Sequence, residues 1–232
     1  MIVFIGMECS GVIRRAFEAE GHEAYSCDLK PAEDGSPRHI QGDVFEALKK
    51  FGTPDLAILH PVCTYLTVSG YHWCYRDPAD YPNTLCGEAR LKAVEQAQAD
   101  FMRCVEVKAE HLAIENPIGI MSRLYRQPDQ IIQPFEFGDD ASKKTCLWLR
   151  DLPPLFPTSM VSPRWVCCNV TLAEGRTSCP VCRGANKPRP RWGNQTNSGQ
   201  NNLGPSEHRA TDRARTYPGP ARAMAAQWGT IN

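Results

Sequence analysis

Apolar and polar positions along the chain fall into blocks of alternating period. "MIVFIG" (residues 1–6) is a continuous apolar run of strand length. "ECSGVIRRAFEAEG" (8–21) then switches to helical spacing, with Val12, Ile13, Ala16 and Phe17 on one face, Ser10 as N-cap and Gly21 as the stop. "HEAYSCDL" (22–29) reads as a second strand ending in Asp28. "GDVFEALKKFG" (42–52) puts Asp43 at a strand or turn end before a short helix that faces Val44, Ala47 and Leu48 inward. "DLAILH" (55–60) is the next buried strand. Strand and helix in strict alternation predict an α/β fold with a parallel sheet and right-handed crossovers.

The rhythm breaks at "TVSGYHWCYRDPADYPNTLCG" (67–87), which is rich in aromatics and turn residues and long for a connection in a compact domain. "EARLKAVEQAQADFMRCVEV" (88–107) returns to helical spacing through Leu91, Val94, Ala97, Phe101 and Val105. "HLAIENP" (111–117) and "KKTCLWL" (143–149) read as strands, and "DLPPLFPTS" (151–159) as a proline-punctuated exit. Four cysteines follow between Val166 and Arg183, then a polar Gly/Asn-rich loop, "NQTNSGQNNLGPS". "GPARAMAAQWG" (219–229) predicts a short helix with a docking face of Ala and Met. No internal repeat is visible. The expected organisation is a core over 1–160, a Cys-rich insertion over 161–192, a polar loop over 193–204 and a C-terminal segment over 205–232 that completes the core.

At 232 residues the chain can bury one substantial core. No run approaches the eighteen or so apolar residues of a membrane span, and the first residues lack the basic flank and length of a signal peptide. The expectation is a cytoplasmic protein without a membrane partner, and no obligate protein partner is evident. Eleven cysteines then mean thiols, metal ligands or catalysis rather than disulfides. The formal net charge is zero but unevenly spread. Between Arg183 and Arg222, the cations Arg183, Lys187, Arg189, Arg191, Arg209, Arg213, Arg215 and Arg222 stand against Glu207 and Asp212 only. Such a surface could follow a phosphate backbone, or simply balance an acidic first half.

Candidate chemistry gathers at the strand ends. "FIGMECSG" (4–11) is a glycine-containing turn between a first strand and its helix, where backbone can approach a nucleotide-like ligand; a plain tight turn would look the same. Asp28 lies about 20 residues further on, where such folds place an acid on ribose hydroxyls, and Asp43 could reach an adenine amino group. An adenosine-containing cofactor is favoured. Cys63, at the tip of "DLAILHPVC", is a candidate nucleophile if its thiol is activated, and otherwise a small buried hydrophobe. In "HLAIENP" an apolar strand ends in a carboxylate, an amide and a proline, Glu115, Asn116 and Pro117. A buried carboxyl there must be paired or stay protonated, so Glu115 is a partner of the thiol's chemistry, or else it pairs with a structural Arg or caps a helix.

Taken together these residues resemble the cytosine-5 DNA methyltransferase family, in a compact version associated with phage genomes. "FIGMECSG" resembles the family's first cofactor motif, "CDL" its ribose acid and "GDV" its adenine acid. "HPVC" resembles the Pro-Pro-Cys-Gln nucleophile motif, and "ENP" the Glu-Asn-Val motif. The resemblance covers roughly residues 1–150 and 205–232, where "TYPGPARAMAAQWG" sits at the returning C-terminal segment. It departs at Val62 and Thr64, and the Gln-Arg-Arg motif is reduced to "SKKT", with Lys144 the nearest substitute.

The resemblance implies a Rossmann-like S-adenosylmethionine-dependent fold and a host-cytoplasmic location if phage-encoded. It implies catalytic Cys63, Glu115 and Lys144, and a cofactor site from Phe4, Gly6, Glu8, Ser10, Gly11, Asp28, Asp43 and Pro61. The implied reaction adds Cys63 to C6 of a flipped-out cytosine while Glu115 holds the N3 and amino edge. Modification of another pyrimidine, in RNA or as a free nucleotide, and an inactive nucleic-acid-binding relative are the competing expectations.

Cys167-Cys168 followed by Cys179-Pro-Val-Cys182 suits tetrahedral Zn²⁺, although adjacent cysteines must both turn to one metal and one of them could be a bystander. Free surface thiols are the alternative. With "RGANKPRPRW" the cluster could form a basic clip on nucleic acid. Tyr71, His72, Trp73 and Tyr75 could stack on a flipped base or pack under the loop.

Overall fold

The computed structural model describes residues 1–173, 178–206 and 209–231. Strands β1 (Ile2–Gly6), β2 (Glu23–Asp28), β3 (His39–Gln41), β4 (Leu56–Leu59), β5 (His111–Pro117), β6 (Gln130–Ile132) and β7 (Thr145–Arg150) form one sheet in the order β3-β2-β1-β4-β5-β7-β6. The helices are α1 (Val12–Ala19), α2 (Val44–Phe51), α3 (Val68–Tyr71), α4 (Gly87–Val105), α5 (Met121–Leu124), α6 (Arg209–Ala214) and α7 (Pro218–Trp228).

The first five strands are parallel in the doubly wound order, reversing direction of travel between β1 and β4. β7 runs antiparallel to both β5 and β6, so "KKTCLWL" is a strand as expected but reversed. No crossover helix is needed to reach it, because antiparallel neighbours can be joined by a short turn.

Alternation along the strands divides the core between the two faces. Val3, Ile5, Leu56, Ile58 and Ala113 pack beneath α1 and α7; Phe4, Ala57, Leu59, Leu112 and Ile114 pack beneath α2 and α4. Side chains on both faces are buried, which is why these strands read as continuous apolar runs. α7 docks as its Ala and Met face predicts, and Trp228 is fully buried with its indole N–H donating to the Pro153 carbonyl at 3.0 Å.

Two expected details differ. α1 is capped by Gly11 in the left-handed region (φ 68°), one residue beyond Ser10. α4 buries Arg90, Val94, Ala97, Phe101 and Cys104, with Arg90 rather than Leu91 at its N-terminal end.

β8 (Arg164–Cys167), β9 (Val170–Thr171) and β10 (Arg189–Arg191) make a separate antiparallel sheet in the order β10-β8-β9, within the expected insertion. The polar loop after it is closed by a Gln195–Asn201 bridge and by Thr196 N–H donating to Gln200 O at 2.8 Å. Glu207 of the C-terminal charge pattern lies outside the described residues. Among the described residues, no helix is long and apolar enough to cross a membrane, and the eleven cysteines form no disulfide.

Candidate active site

Strand register builds the centre of the site. β4 pairs with β5 so that Leu59 sits opposite Ile114; the next residues, His60 and Glu115, therefore emerge side by side at the carboxyl ends. His60 Nδ1 lies 3.1 Å from Glu115 Oε2. The Thr216 hydroxyl donates to the same oxygen at 3.2 Å, bringing the C-terminal segment into the site. Asn116 Nδ2 donates to the Pro61 carbonyl at 2.7 Å and ties the two strand ends together. Among the described residues the side chains held against the Glu115 carboxyl are His60 and Thr216, and not an arginine.

Glu115 is only 7% exposed. Burial alone would raise its pKa, but His60, Lys143 and Thr216 together outweigh it and hold the carboxyl down at about 2. Glu115 is thus an acceptor at neutral pH and not the protonated donor that a dry pocket alone would make. His60 Nε2 is buried and has no hydrogen-bond partner among the described residues.

Cys63 follows on a turn in which its carbonyl accepts from Leu66 N–H at 3.0 Å and Thr67 N–H at 3.2 Å. Burial pushes its thiol above the ordinary value. Lys143 pulls it back, and the Glu115 carboxylate opposes that pull. Arg90 fixes the loop from below. Its Nε donates to Gly70 O at 3.0 Å, Nη2 to Thr64 O at 3.2 Å and Nη1 to Leu85 O at 3.4 Å, with the guanidinium 5.3 Å from the Tyr65 ring centre.

Lys143, not Lys144, is the lysine of the site. The two residues precede β7, where successive side chains point to opposite sides; Lys144 is exposed. Lys143 Nζ donates to the carbonyls of Ala214 and Arg215, both at 3.0 Å. It lines a small cleft with Glu115, Thr145, Thr216, Tyr217 and Met224. Cys63 sits beside this cleft rather than in its wall, linked to it through the charge of Lys143.

No family model matches this chain, and no curated protein matches it.

The candidate cofactor residues divide into two groups. Phe4 is fully buried in the core, edge-on to Phe51 with ring centres 5.0 Å apart. Gly6 is required by packing, since a Cβ there would come within 2.6 Å of both Leu59 and Val44. Pro61 is buried in the strand-end turn. Glu8 turns inward, accepting from Gly11 N–H at 3.1 Å and from the Ser10 hydroxyl, which itself accepts from Val12 N–H at 3.3 Å. Asp28 and Asp43 remain at the sheet's carboxyl edge. Asp28 Oδ1 accepts from Lys30 N–H at 2.9 Å. Asp43 is exposed and caps α2 through Oδ1, from Phe45 N–H at 2.9 Å and Glu46 N–H at 3.0 Å. Leu29, 74% exposed beside Asp28, offers an apolar plate there.

In the insertion, Cys167, Cys168, Cys179 and Cys182 bring their sulfurs within 4.8 Å of one another and could hold a metal ion. Cys167 Sγ is 3.8 Å from Cys168 Sγ and 3.6 Å from Cys182 Sγ. A tetrahedral metal with bonds of about 2.3 Å would set its sulfurs about 3.8 Å apart. Left-handed backbone at Cys168 (φ 52°) and Asn169 (φ 61°) lets the adjacent cysteines turn to one centre. Asn186 donates its backbone N–H to Cys182 Sγ and its side-chain amide to Cys168 Sγ, both at 3.4 Å. These donors suit thiolates.

His60, Lys143, Thr216 and Arg90 are the residues that sequence reasoning did not select. His60 carried one signal, a polar residue directly after a buried apolar strand. Lys143 and Thr216 lay inside the "SKKT" and "TYPGPARAMAAQWG" segments without being singled out, and Arg90 carried no signal.

Proposed function

We propose that this chain is an S-adenosylmethionine-dependent methyltransferase acting on C5 of cytosine in DNA, through a covalent adduct with Cys63. The observation that carries the reading is the convergence at the ends of β4 and β5. The turn that carries the half-buried Cys63 is tied by its Pro61 carbonyl to Asn116. Asn116 is next to the buried Glu115 that lines a cleft with Lys143, beyond the carboxyl ends of a doubly wound sheet, where such folds bind ligands. The "HPVC" and "ENP" motifs are the segments brought together there.

Cys63 acts as the nucleophile: its thiolate bonds to C6 of the ring, and the electron pair displaced from the C5–C6 double bond makes C5 nucleophilic. Glu115 accepts a hydrogen bond from the exocyclic amino group. Lys143 favours the thiolate before attack and offsets negative charge that builds on the ring. Bound S-adenosylmethionine supplies the electrophilic methyl group. S-adenosylhomocysteine would be the leaving group of the methyl transfer; water would then take the C5 proton, and the C–H electron pair re-forms the C5–C6 double bond and expels the Cys63 thiolate. Asp28, Leu29 and Asp43 would hold the adenosine part, by ribose hydroxyl, apolar stacking and adenine amino contacts respectively.

Zinc is the metal we assign to the four thiolates: an all-sulfur tetrahedral set without an open position is a structural zinc site. Around it Arg183, Lys187 and Arg189 are exposed, and Trp165 is half-exposed. Arg164 is spent on the Trp192 carbonyl, and Arg191 on the Asn197 and Ser198 carbonyls of the polar loop. The exposed cations supply a surface for DNA phosphates.

A second reading is favoured by the ionised state of Glu115. A carboxylate accepts equally well from the N3–H of a uracil-type ring, so a pyrimidine other than cytosine fits the same acceptor. The deciding experiment offers labelled S-adenosylmethionine with duplex DNA, single strands, RNA and free nucleotides. Methyl incorporation into DNA cytosine, and trapping of Cys63 by 5-fluorocytosine DNA, are the expected results. No transfer to any pyrimidine, or transfer undiminished in Cys63→Ala, would overturn the reading.

A further inference from the structure

The Cys-rich insertion has almost no core of its own. Its buried apolar cluster consists of Cys167, Leu172 and Cys179 with Cys182 against it, and three of its strands are four residues or shorter. A module this small needs a staple to hold one conformation, and the four sulfurs are the only candidates among its described residues.

The strand that leaves this module runs straight into the active-site scaffold. β10 pairs with β8, which ends in Cys167, and continues into Trp192-Gly193-Asn194. The Trp192 ring stacks on Phe135, with ring centres 4.2 Å apart and planes 12° apart, and its indole N–H donates to Val161 O at 3.3 Å. Gly193 N–H donates to Asp140 Oδ1 at 2.8 Å; a Cβ at 193 would lie 2.7 Å from Asp140 Oδ2 and 3.0 Å from its carbonyl oxygen. Asn194 then makes three bonds. Its Oδ1 accepts from Ser142 N–H at 2.9 Å, and its Nδ2 donates to Ser142 O at 3.0 Å and to the Tyr217 hydroxyl at 3.2 Å.

Ser142 and Tyr217 are the immediate neighbours of Lys143 and Thr216, the two residues that reach Glu115 and Cys63. Lys143 ties the same two segments together from the inner side, through the carbonyls of Ala214 and Arg215. Asn194 ties them from the outer side. We infer that Asn194 is a positioning residue for the active site, and that metal binding by the four cysteines holds Lys143 in the cleft beside Glu115 through the Trp192–Asn194 connector. The metal module is thereby a strut of the catalytic centre as well as a surface. The inference about Asn194 and Lys143 concerns the reactivity of Cys63 and holds whatever reaction the site performs.

The test therefore reads the thiol directly. Alkylation of Cys63 by iodoacetamide is followed against pH by site-resolved mass spectrometry on full-length protein, with folding checked by thermal melting. Asn194→Asp keeps the acceptor for Ser142 N–H and loses both donated bonds. Gly193→Ala pushes the connector off Asp140. In each, and in chelated wild-type protein, the alkylation midpoint is expected to rise by roughly half a pH unit or more, as Lys143 loses its hold on the thiolate. Chelating Asn194→Asp should add little further, because both act through one connection. The direction of the midpoint is the deciding quantity: a merely loosened fold exposes the thiol, relieves the burial that raises it and lowers the midpoint, whereas loss of Lys143 raises it. An unmoved or lowered midpoint in chelated wild-type protein, or in folded Asn194→Asp, overturns the inference. Failure of methyl transfer with the midpoint shifted as expected would count against the proposed reaction and leave the strut intact.

Discussion

His60 Nδ1 stands 3.1 Å from Glu115 Oε2, at the tips of two neighbouring parallel strands. The pair explains how a carboxylate stays ionised in a nearly dry position. Glu115 has a folded pKa of about 2, well below an ordinary carboxyl near 4.3. A depressed carboxyl contributes stability above its unfolded pKa and loses it as pH falls toward the folded value. Wild-type protein should therefore lose stability between about pH 4.5 and pH 2. His60→Ala leaves a buried charge without its main partner and is expected to cost about 3 kcal/mol at pH 7. Its acid-side loss should shrink, because Glu115 is no longer held down. Urea unfolding of both proteins across this range checks the prediction, and equal acid limbs would contradict it.

Cys63 and Lys143 give a second pH dependence with a definite sign. The thiol is pushed up by burial and pulled back by Lys143, so its thiolate fraction grows as pH rises past neutral toward and beyond 9. Methyl transfer, and alkylation of Cys63, should rise over that span. Lys143→Ala should move the rise to higher pH, whereas Lys144→Ala, at an exposed side chain, should leave it where it is. The reverse assignment would follow if only Lys144→Ala moved the profile.

How much of this was legible in the chain depends on element length and phase. β1, β4 and β5 are apolar runs bounded by turn residues, and the helical stripes of α1 and α2 have clear period, so the parallel α/β core could be read directly. β3 and β6 are three residues each, too short to carry a period, and the reversal of β7 depends on contacts across the sheet. Of the site, Cys63 and Glu115 were visible as polar residues ending apolar strands. Their partners were not. The His60–Glu115 contact depends on the register of β4 against β5. The choice of Lys143 over Lys144 depends on the phase of a strand entrance, and Thr216 comes from a hundred residues away in sequence. Arg90 sits in a helical stripe where its charge argues for exposure, and only the carbonyls turned toward it justify its burial.

Arg90 yields a prediction because it satisfies three loop carbonyls at once, including that of Thr64 next to Cys63. Hydrogen bonds from a charged donor are each worth about 1.5–3 kcal/mol, and removing the donor leaves buried acceptors unpaired. Arg90→Ala is expected to destabilise by about 3 kcal/mol and to open residues 67–87 to chymotrypsin. Arg90→Lys should recover only part, since an ammonium cannot reach three acceptors in the fork's geometry. Full rescue by lysine would mean that the charge alone matters.

The metal site is tested most sharply through the adjacent pair. Cys167 and Cys168 both face the centre because Cys168 and Asn169 adopt left-handed backbone, and Asn186 donates to Cys168 Sγ at 3.4 Å as it does to Cys182 Sγ. All four sulfurs are therefore expected to bind. Protein purified without chelator should carry one zinc per chain by elemental analysis. In the cobalt-substituted protein, the thiolate charge-transfer absorption should fall in each of Cys167→Ser, Cys168→Ser, Cys179→Ser and Cys182→Ser. Normal metal content and an unchanged cobalt spectrum in Cys168→Ser would make that residue a bystander and hand the fourth position to another ligand. Wild-type protein without bound metal would leave the insertion with no staple, and its three short strands should then lose amide protection from exchange while the seven-stranded sheet keeps it.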